Sequence, residues 1–177
     1  WAALPLDWLI REAQTRHLSG VEFLAGVPGR VGGAVRMNAG THDDQDRRYA
    51  MADVVQSIQV MNFFGQIQTL KVSQIGFGYR SSDLAGQIVL EADLKLSQED
   101  PDRIAERVRA LWLLKKKTQD WSAPSVGCIF KNFELAPGED PQRASAGWLI
   151  DQAGLKGHQV GQAAISERHA NFIMNLG

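Results

Sequence analysis

Between Gly26 and Gly40 the chain reads G-V-P-G-R-V-G-G-A-V-R-M-N-A-G, with glycine at positions 26, 29, 32, 33 and 40. Glycine reaches φ > 0 without strain and lets another group approach the main chain closely. Pro28 fixes one φ between Gly26 and Gly29, so the stretch is shaped rather than slack. A segment of this kind can aim several backbone N–H groups at one anion. It can equally be a connection that only turns the chain. Two phosphate-binding signatures are absent from it. No Gly-Lys-Ser/Thr follows, and the G-x-x-G-x-x-G-G spacing, with no strand before it, is not a Rossmann fingerprint.

The 177 residues suffice for one large domain or two small ones, and an apolar fraction of 44% supplies a core. No apolar run approaches the roughly 20 residues of a membrane span. A net charge of −1 and a pI near 6.5 argue against a general role on nucleic acid or at a membrane surface. The single cysteine, Cys128, excludes an internal disulfide and a thiolate zinc site, and it fits a reducing, cytoplasmic setting.

Leu6, Leu9, Ile10 and Ala13 follow helical spacing within Pro5–Leu18, and Gly20 is the expected stop. The glycine-rich segment reads as loop. Asp43, Asp44 and Asp46 in the polar run 41–49 read as a solvated loop rather than a cation site. Alternation over Val54–Met61 and Ile67–Leu70, about Asn62–Gly65, predicts a hairpin, and Ile88–Leu96 a third strand. Asp100-Pro101 opens a helix whose buried stripe is Ile104, Val108, Leu111 and Trp112, with Lys115–Lys117 as its solvated basic end. A boundary is expected near Thr118, giving domains 1–118 and 119–177. Beyond it come a loop-like stretch to Asp140, a short helix Ser145–Ala153 stopped by Gly154, and strands around Val160, Ala163–Ile165 and Phe172–Asn175. Mixed helices and strands predict an α+β fold.

Several residues could carry chemistry. Arg80, after Gly76 and Gly78, can grip a carboxylate through two parallel hydrogen bonds or be an ordinary surface arginine. Cys128, in P-S-V-G-C-I-F-K-N, can donate a proton or be a small buried apolar side chain. Lys131 and Asn132 can meet a ligand's anionic and amide groups or be strand-end polars. The Lys115–Lys117 run can form a positive patch for a diphosphate. His158 and His169 form no pair by spacing.

Six motifs in order cover nearly the whole chain: E-F-L-A-G-V-P-G-R-V-G-G-A-V-R-M-N-A-G, F-G-Y-R-S-S, K-K-K-T-Q, P-S-V-G-C-I-F-K-N, S-A-G-W-L-I-D-Q-A-G-L-K-G and A-A-I-S-E-R-H-A-N-F-I-M-N. The set resembles the UDP-N-acetylenolpyruvoylglucosamine reductases, most closely their shorter, type II form. The resemblance implies an FAD-binding lobe of the vanillyl-alcohol-oxidase (PCMH) type followed by a small α+β substrate-binding domain. It also implies a fragment lacking both termini, including the family's flavin-loop segment before Trp1 and its catalytic glutamate after Gly177.

By the same resemblance, Gly26, Val27, Pro28, Gly29, Gly32, Gly33, Met37, Asn38, Ala39 and Gly40 are expected to hold FAD. Arg80 and Cys128 are the expected catalytic pair: Arg80 stabilises charge at the enolpyruvyl group and Cys128 is the proton donor. Tyr79, Lys117, Lys131 and Asn132 are expected to bind the UDP-sugar substrate. The reductant implied is NADPH. No metal, nucleic acid, membrane or obligate protein partner is implied. The competing readings are another FAD oxidoreductase of the same fold and an inactive nucleotide-sugar-binding fragment.

Overall fold

A computed structural model describes residues 1–177 apart from Asp44, Asp46, Glu134, Ala136, Pro137 and Glu139, and apart from the side chains of Pro141 and Gln142. Two of the three acidic residues of the polar run 41–49, and Pro137 of the loop-like stretch, therefore lie outside the described residues. The chain forms two compact units, Trp1–Leu114 and Lys115–Gly177. Both mix helices with antiparallel strands, an α+β architecture.

The first unit opens with α1 (Leu6–Thr15), which buries Leu6, Ile10 and Ala13 at i, i+4 and i+7. It ends earlier than the glycine stop predicts. His17, at φ 57°, takes the left-handed conformation, and β1 (Leu18–Ser19) follows. After a 3-10 turn over Glu22–Leu24 comes α2 (Val31–Arg36), a helix inside the segment expected to be loop. Two glycines weaken its intrinsic propensity. It forms because Val31, Ala34 and Val35, at i, i+3 and i+4, are all buried in the core.

The polar run expected to be loop is a hairpin of β2 (Gly40–His42) and β3 (Arg48–Ala50), paired Thr41↔Tyr49. The Asp43 carboxylate holds its turn by accepting from the backbone N–H groups of Gln45 and Arg47, from Arg47 Nε at 2.7 Å and from the Tyr49 hydroxyl.

Next come β4 (Val55–Asn62) and β5 (Ile67–Lys71), the expected hairpin. A small hairpin follows, β6 (Phe77–Gly78) and β7 (Ser81–Ser82), then β8 (Gln87–Leu94) and β9 (Ser97–Gln98). The sheet order is β5-β4-β8, with Ile58 opposite both Leu70 and Ala92. Val55, Ile58 and Val60 are all buried, which strict alternation forbids. A register shift between Val55 and Ser57 resets the phase, as a bulge does. β9 returns to pair with β1.

The long helix α3 (Pro101–Thr118) carries the boundary between the units. Ile104 and Leu111 are buried as expected, but Trp112 is 43% exposed and the buried stripe continues to Lys115, 6% exposed. Positions 104, 108, 111 and 115 share one face, whereas 112 lies about 100° round from 111. A lysine can occupy such a stripe because its four-carbon stem is apolar.

Arg107 of α3 bridges Glu22, at 2.8 Å, and Glu99, at 2.7 Å, and donates to the Ser19 hydroxyl. Burial raises the Glu22 carboxyl's pKa. Hydrogen bonds from Arg107, from the backbone N–H of Gly20 and from Ser19 outweigh that and hold it below the usual carboxylate range. Its contribution is therefore present above the unfolded value and fades as pH falls through the lowered one. Arg107→Ala leaves a buried carboxylate unpaired. Arg107 is itself 42% exposed, so we expect a loss of about 2 kcal/mol, below the roughly 3–5 kcal/mol of a fully buried pair. Urea denaturation at pH 7 measures this, and the loss should shrink as pH falls into the carboxylate range, because burial favours the protonated form of a Glu22 that has lost Arg107.

The second unit contains β10 (Ser125–Cys128), α4 (Ala146–Gln152), β11 (Gln159–Val160), β12 (Ala163–Ile165) and β13 (Phe172–Asn175). The last four match the elements expected there; β10 falls in the stretch expected to be loop-like. The sheet is antiparallel, in the order β10-β13-β12-β11. Phe172 and Met174 point one face of β13 into the core. The Ser145 hydroxyl caps α4 by accepting from the Trp148 N–H.

Candidate active site

In the first unit the structure brings the glycine-rich segment and the Tyr79-Arg80 pair together. Tyr79 and Arg80 are the two-residue turn between β6 and β7, and Arg80 sits at φ 50°. Three residues of the glycine-rich segment fasten this hairpin. Arg36 Nη1 donates to the Ser82 carbonyl at 3.1 Å, while the Ser82 hydroxyl donates back to the Arg36 carbonyl at 2.7 Å. Asn38 Nδ2 donates to the Gly78 carbonyl at 3.0 Å, and its Oδ1 accepts from the Ala52 N–H at 2.9 Å. Arg80 Nη2 donates to the Gly40 carbonyl at 2.6 Å. The guanidinium also lies 5.3 Å from the centre of the Tyr79 ring, within cation–π range. Asn38 is 8% exposed and, like Arg80, is a non-glycine residue at positive φ (42°). Strained backbone of this kind concentrates where a fold must hold functional groups in place.

The glycines of the segment divide into two kinds. At Gly40 a Cβ would stand 2.1 Å from the Tyr49 carbonyl oxygen, so glycine there answers to the packing of β2 on β3. Gly29, at φ 134°, and Gly33 are exposed, and a Cβ on either would meet nothing within 4 Å. In the first turn of α2 the N–H groups of Val31 and Gly32 donate to the carbonyls of Leu4 and Ala2. Among the described residues, those of Gly29 and Gly33 donate to no protein acceptor. Unpaired donors beside open space fit a dinucleotide lying along the chain. Val27 and Ala39 pack against the core, while Pro28 and Met37 are exposed.

The second unit holds the remaining candidates. Cys128 ends β10 and is exposed, which removes the reading of a buried apolar thiol. Lys131 and Asn132 follow it, both exposed. Asn132 Oδ1 accepts from the Ala146 N–H at 3.2 Å and so supports the start of α4, leaving its amide NH₂ to donate elsewhere. Lys117 is exposed on the last turn of α3, unlike the buried Lys115.

Asp120 accepts from the hydroxyls of Ser122 and Ser166, both at 2.6 Å, and these bonds lower its pKa to about 2. Burial holds His169 below the usual imidazole range; its ring lies 4.4 Å from that of Phe172, and Nδ1 makes no hydrogen bond. That environment suits a neutral structural imidazole. Sequence reasoning missed Arg36 and Ser82 as partners. They are 46 positions apart and no local pattern links them.

Residues 118–177 match the family model described as UDP-N-acetylenolpyruvoylglucosamine reductase, C-terminal domain. The UDP-N-acetylenolpyruvoylglucosamine reductase of Trichormus variabilis is 42% identical over 180 residues, an alignment covering 100% of this chain and 47% of that protein. The Bacillus subtilis reductase is 41% identical over 165 residues, covering 92% of this chain and 50% of that protein. The chain spans about half the length of the curated relatives it matches. The crystal structure of UDP-N-acetylenolpyruvylglucosamine reductase from Thermus caldophilus superposes with a TM-score of 0.81 at 40% identity, over 99% of this chain and 60% of that one. Identity near 40% along the chain, a shared fold and a matched C-terminal domain agree: the chain is similar along its length to the UDP-N-acetylenolpyruvoylglucosamine reductases, and residues 118–177 match their C-terminal domain.

Proposed function

We propose that this protein reduces the enolpyruvyl group of UDP-N-acetylenolpyruvoylglucosamine to give UDP-N-acetylmuramate, a precursor of peptidoglycan. The observation that carries the reading is the fastening of the Arg80 hairpin to the glycine-rich segment through Arg36, Asn38 and Gly40. A charge-stabilising group and a dinucleotide cradle thereby become one piece of structure. Residues 1–118 belong, on this reading, to an FAD-binding lobe, and 119–177 to a substrate-binding domain. Gly26, Val27, Pro28, Gly29, Gly32 and Gly33 form the stretch against the FAD pyrophosphate, with the unpaired N–H groups of Gly29 and Gly33 as its donors, since that of Gly32 is given to Ala2; Met37, Asn38, Ala39 and Gly40 meet the part nearer the flavin ring. Asn38 does so through its backbone, because its side chain is spent on Gly78 and Ala52.

When bound, FAD supplies the hydride that reaches C3 of the enolpyruvyl group, with NADPH as the ultimate source. Negative charge then develops at C2 and spreads into the substrate carboxylate. Arg80, always protonated, stabilises that charge as it forms. The Cys128 thiol gives its proton to C2, which completes addition across the double bond and leaves a thiolate. Its exposed position lets solvent return the proton. Lys117 and Lys131 meet the diphosphate, and Tyr79 and the free amide of Asn132 complete the contacts to the sugar nucleotide. The role of Cys128 requires a reducing compartment such as the cytoplasm, where a thiol persists.

Cys128→Ala should leave reduction of the flavin by NADPH intact and slow the substrate half-reaction by about 10²–10⁴-fold. Stopped-flow measurement of the two halves separates them. Equal losses in both would contradict the role.

A further inference from the structure

We infer that Asn171 is the residue that positions Cys128, holding the backbone just beyond the thiol in place. The inference rests on the reading of Cys128 as proton donor. β10 and β13 pair at Ser125↔Met174 and Cys128↔Phe172, with a register shift between those pairs and Gly127 at φ 82°. Regular pairing stops at Cys128. Asn171, one residue before β13, then takes over the ladder. Its carbonyl accepts from the Ile129 N–H at 3.0 Å. Its side chain accepts from the Phe130 N–H at 3.0 Å and donates to the Phe130 carbonyl at 2.8 Å. One amide side chain thus imitates a strand residue's paired N–H and C=O, satisfying both backbone groups of Phe130.

Asn171 is itself well placed to act as an anchor. It is 3% exposed, while Ile129, Phe130, Lys131 and Asn132 beside it are all exposed. The residues leading into it are braced by Ser166, whose hydroxyl oxygen accepts from the N–H groups of Arg168 and His169 and donates to Asp120. A buried, anchored amide therefore fixes an exposed segment that begins at the proton donor and carries Lys131 and Asn132. Proton transfer to carbon requires the donor within hydrogen-bond reach, and a displacement near 1 Å is enough to slow such a step about a hundredfold.

The test compares Asn171→Ala, Asn171→Ser and Cys128→Ala with Met174→Ala, in the flavin-loaded protein. Met174 is buried on β13 but makes no bond to the 129–130 backbone, so it controls for general loosening of the sheet. Asn171→Ala should slow the substrate half-reaction on the order of ten- to a hundredfold, leave flavin reduction unchanged, and raise the rate at which iodoacetamide alkylates Cys128. Asn171→Ser, the milder change, should fall between Asn171→Ala and the wild type in both readouts. Met174→Ala should lower the melting temperature and alter neither.

Should Asn171→Ala and Asn171→Ser match the wild type in half-reaction and alkylation while Cys128→Ala is slow, the positioning role falls and the reading of Cys128 stands. Should Met174→Ala reproduce both effects, Asn171 contributes only stability and the inference is overturned. If Cys128→Ala reacts with substrate as fast as the wild type, the donor assignment itself fails and takes the inference with it.

Discussion

Arg80→Ala is expected to slow reduction of the enolpyruvyl substrate by about 10²–10³-fold, the usual loss when a preorganised stabiliser of developing charge is removed. The guanidinium is preorganised here by two contacts, the 2.6 Å bond to the Gly40 carbonyl and the Tyr79 ring beneath it. Neither has to form during the reaction. A companion variant separates catalysis from stability. Arg80 stands at φ 50°, where an L side chain costs about 1–2 kcal/mol and glycine costs almost nothing. Arg80→Gly should therefore be more stable than Arg80→Ala by about 1 kcal/mol and just as slow. Thermal melts alongside single-turnover rates read both quantities. An Arg80→Gly protein less stable than Arg80→Ala would remove the strain argument, and rapid turnover by either variant would remove the catalytic one.

The second large effect is one of packing. Gly40→Ala puts a methyl group 2.1 Å from the Tyr49 carbonyl oxygen, and also near Ala50 Cα at 3.0 Å. Both obstacles are backbone or close to it, so relief requires β2 and β3 to separate. A loss of about 3 kcal/mol or more is expected, at the high end for a single substitution. The same shift moves the Gly40 carbonyl that holds Arg80, so the surviving folded protein should also turn over slowly. Gly33→Ala is the contrast: its Cβ enters open space on a helix, so stability should rise by up to about 1 kcal/mol. If Gly33→Ala still weakens FAD binding, the open space beside that residue belongs to the cofactor.

Much of the fold was legible because it follows periodic rules. The α1 stripe, the β4–β5 hairpin, β8 and the capped α4 each declare themselves within one stretch of chain. What was hidden depended on distant partners. The helix α2 carries two poor helix formers and exists because the core accepts Val31, Ala34 and Val35. The β2–β3 hairpin carries no apolar alternation to announce it, and its turn is organised by one carboxylate, Asp43. The charge of Lys115 points to solvent, whereas its place on the 104–108–111 stripe points to burial, and it is buried.

At the candidate site, residue types were readable and attachments were not. Arg80 and Cys128 stand in short motifs. The residues that fix them, Asn38 for the Arg80 hairpin and Asn171 for the segment after Cys128, lie 40 and 41 positions from their partners. The sequence points to Asn38 as a cofactor residue; its side-chain amide joins Gly78 to Ala52, which leaves that role to its backbone.

The most direct test of the whole account is an anaerobic half-reaction. The flavin-loaded protein is reduced with NADPH, UDP-N-acetylenolpyruvoylglucosamine is added, and flavin absorbance is followed. The account predicts full return of the oxidised spectrum with formation of UDP-N-acetylmuramate, fast in the wild type and slow in Arg80→Ala. A wild-type spectrum that stays reduced after substrate is added would contradict it.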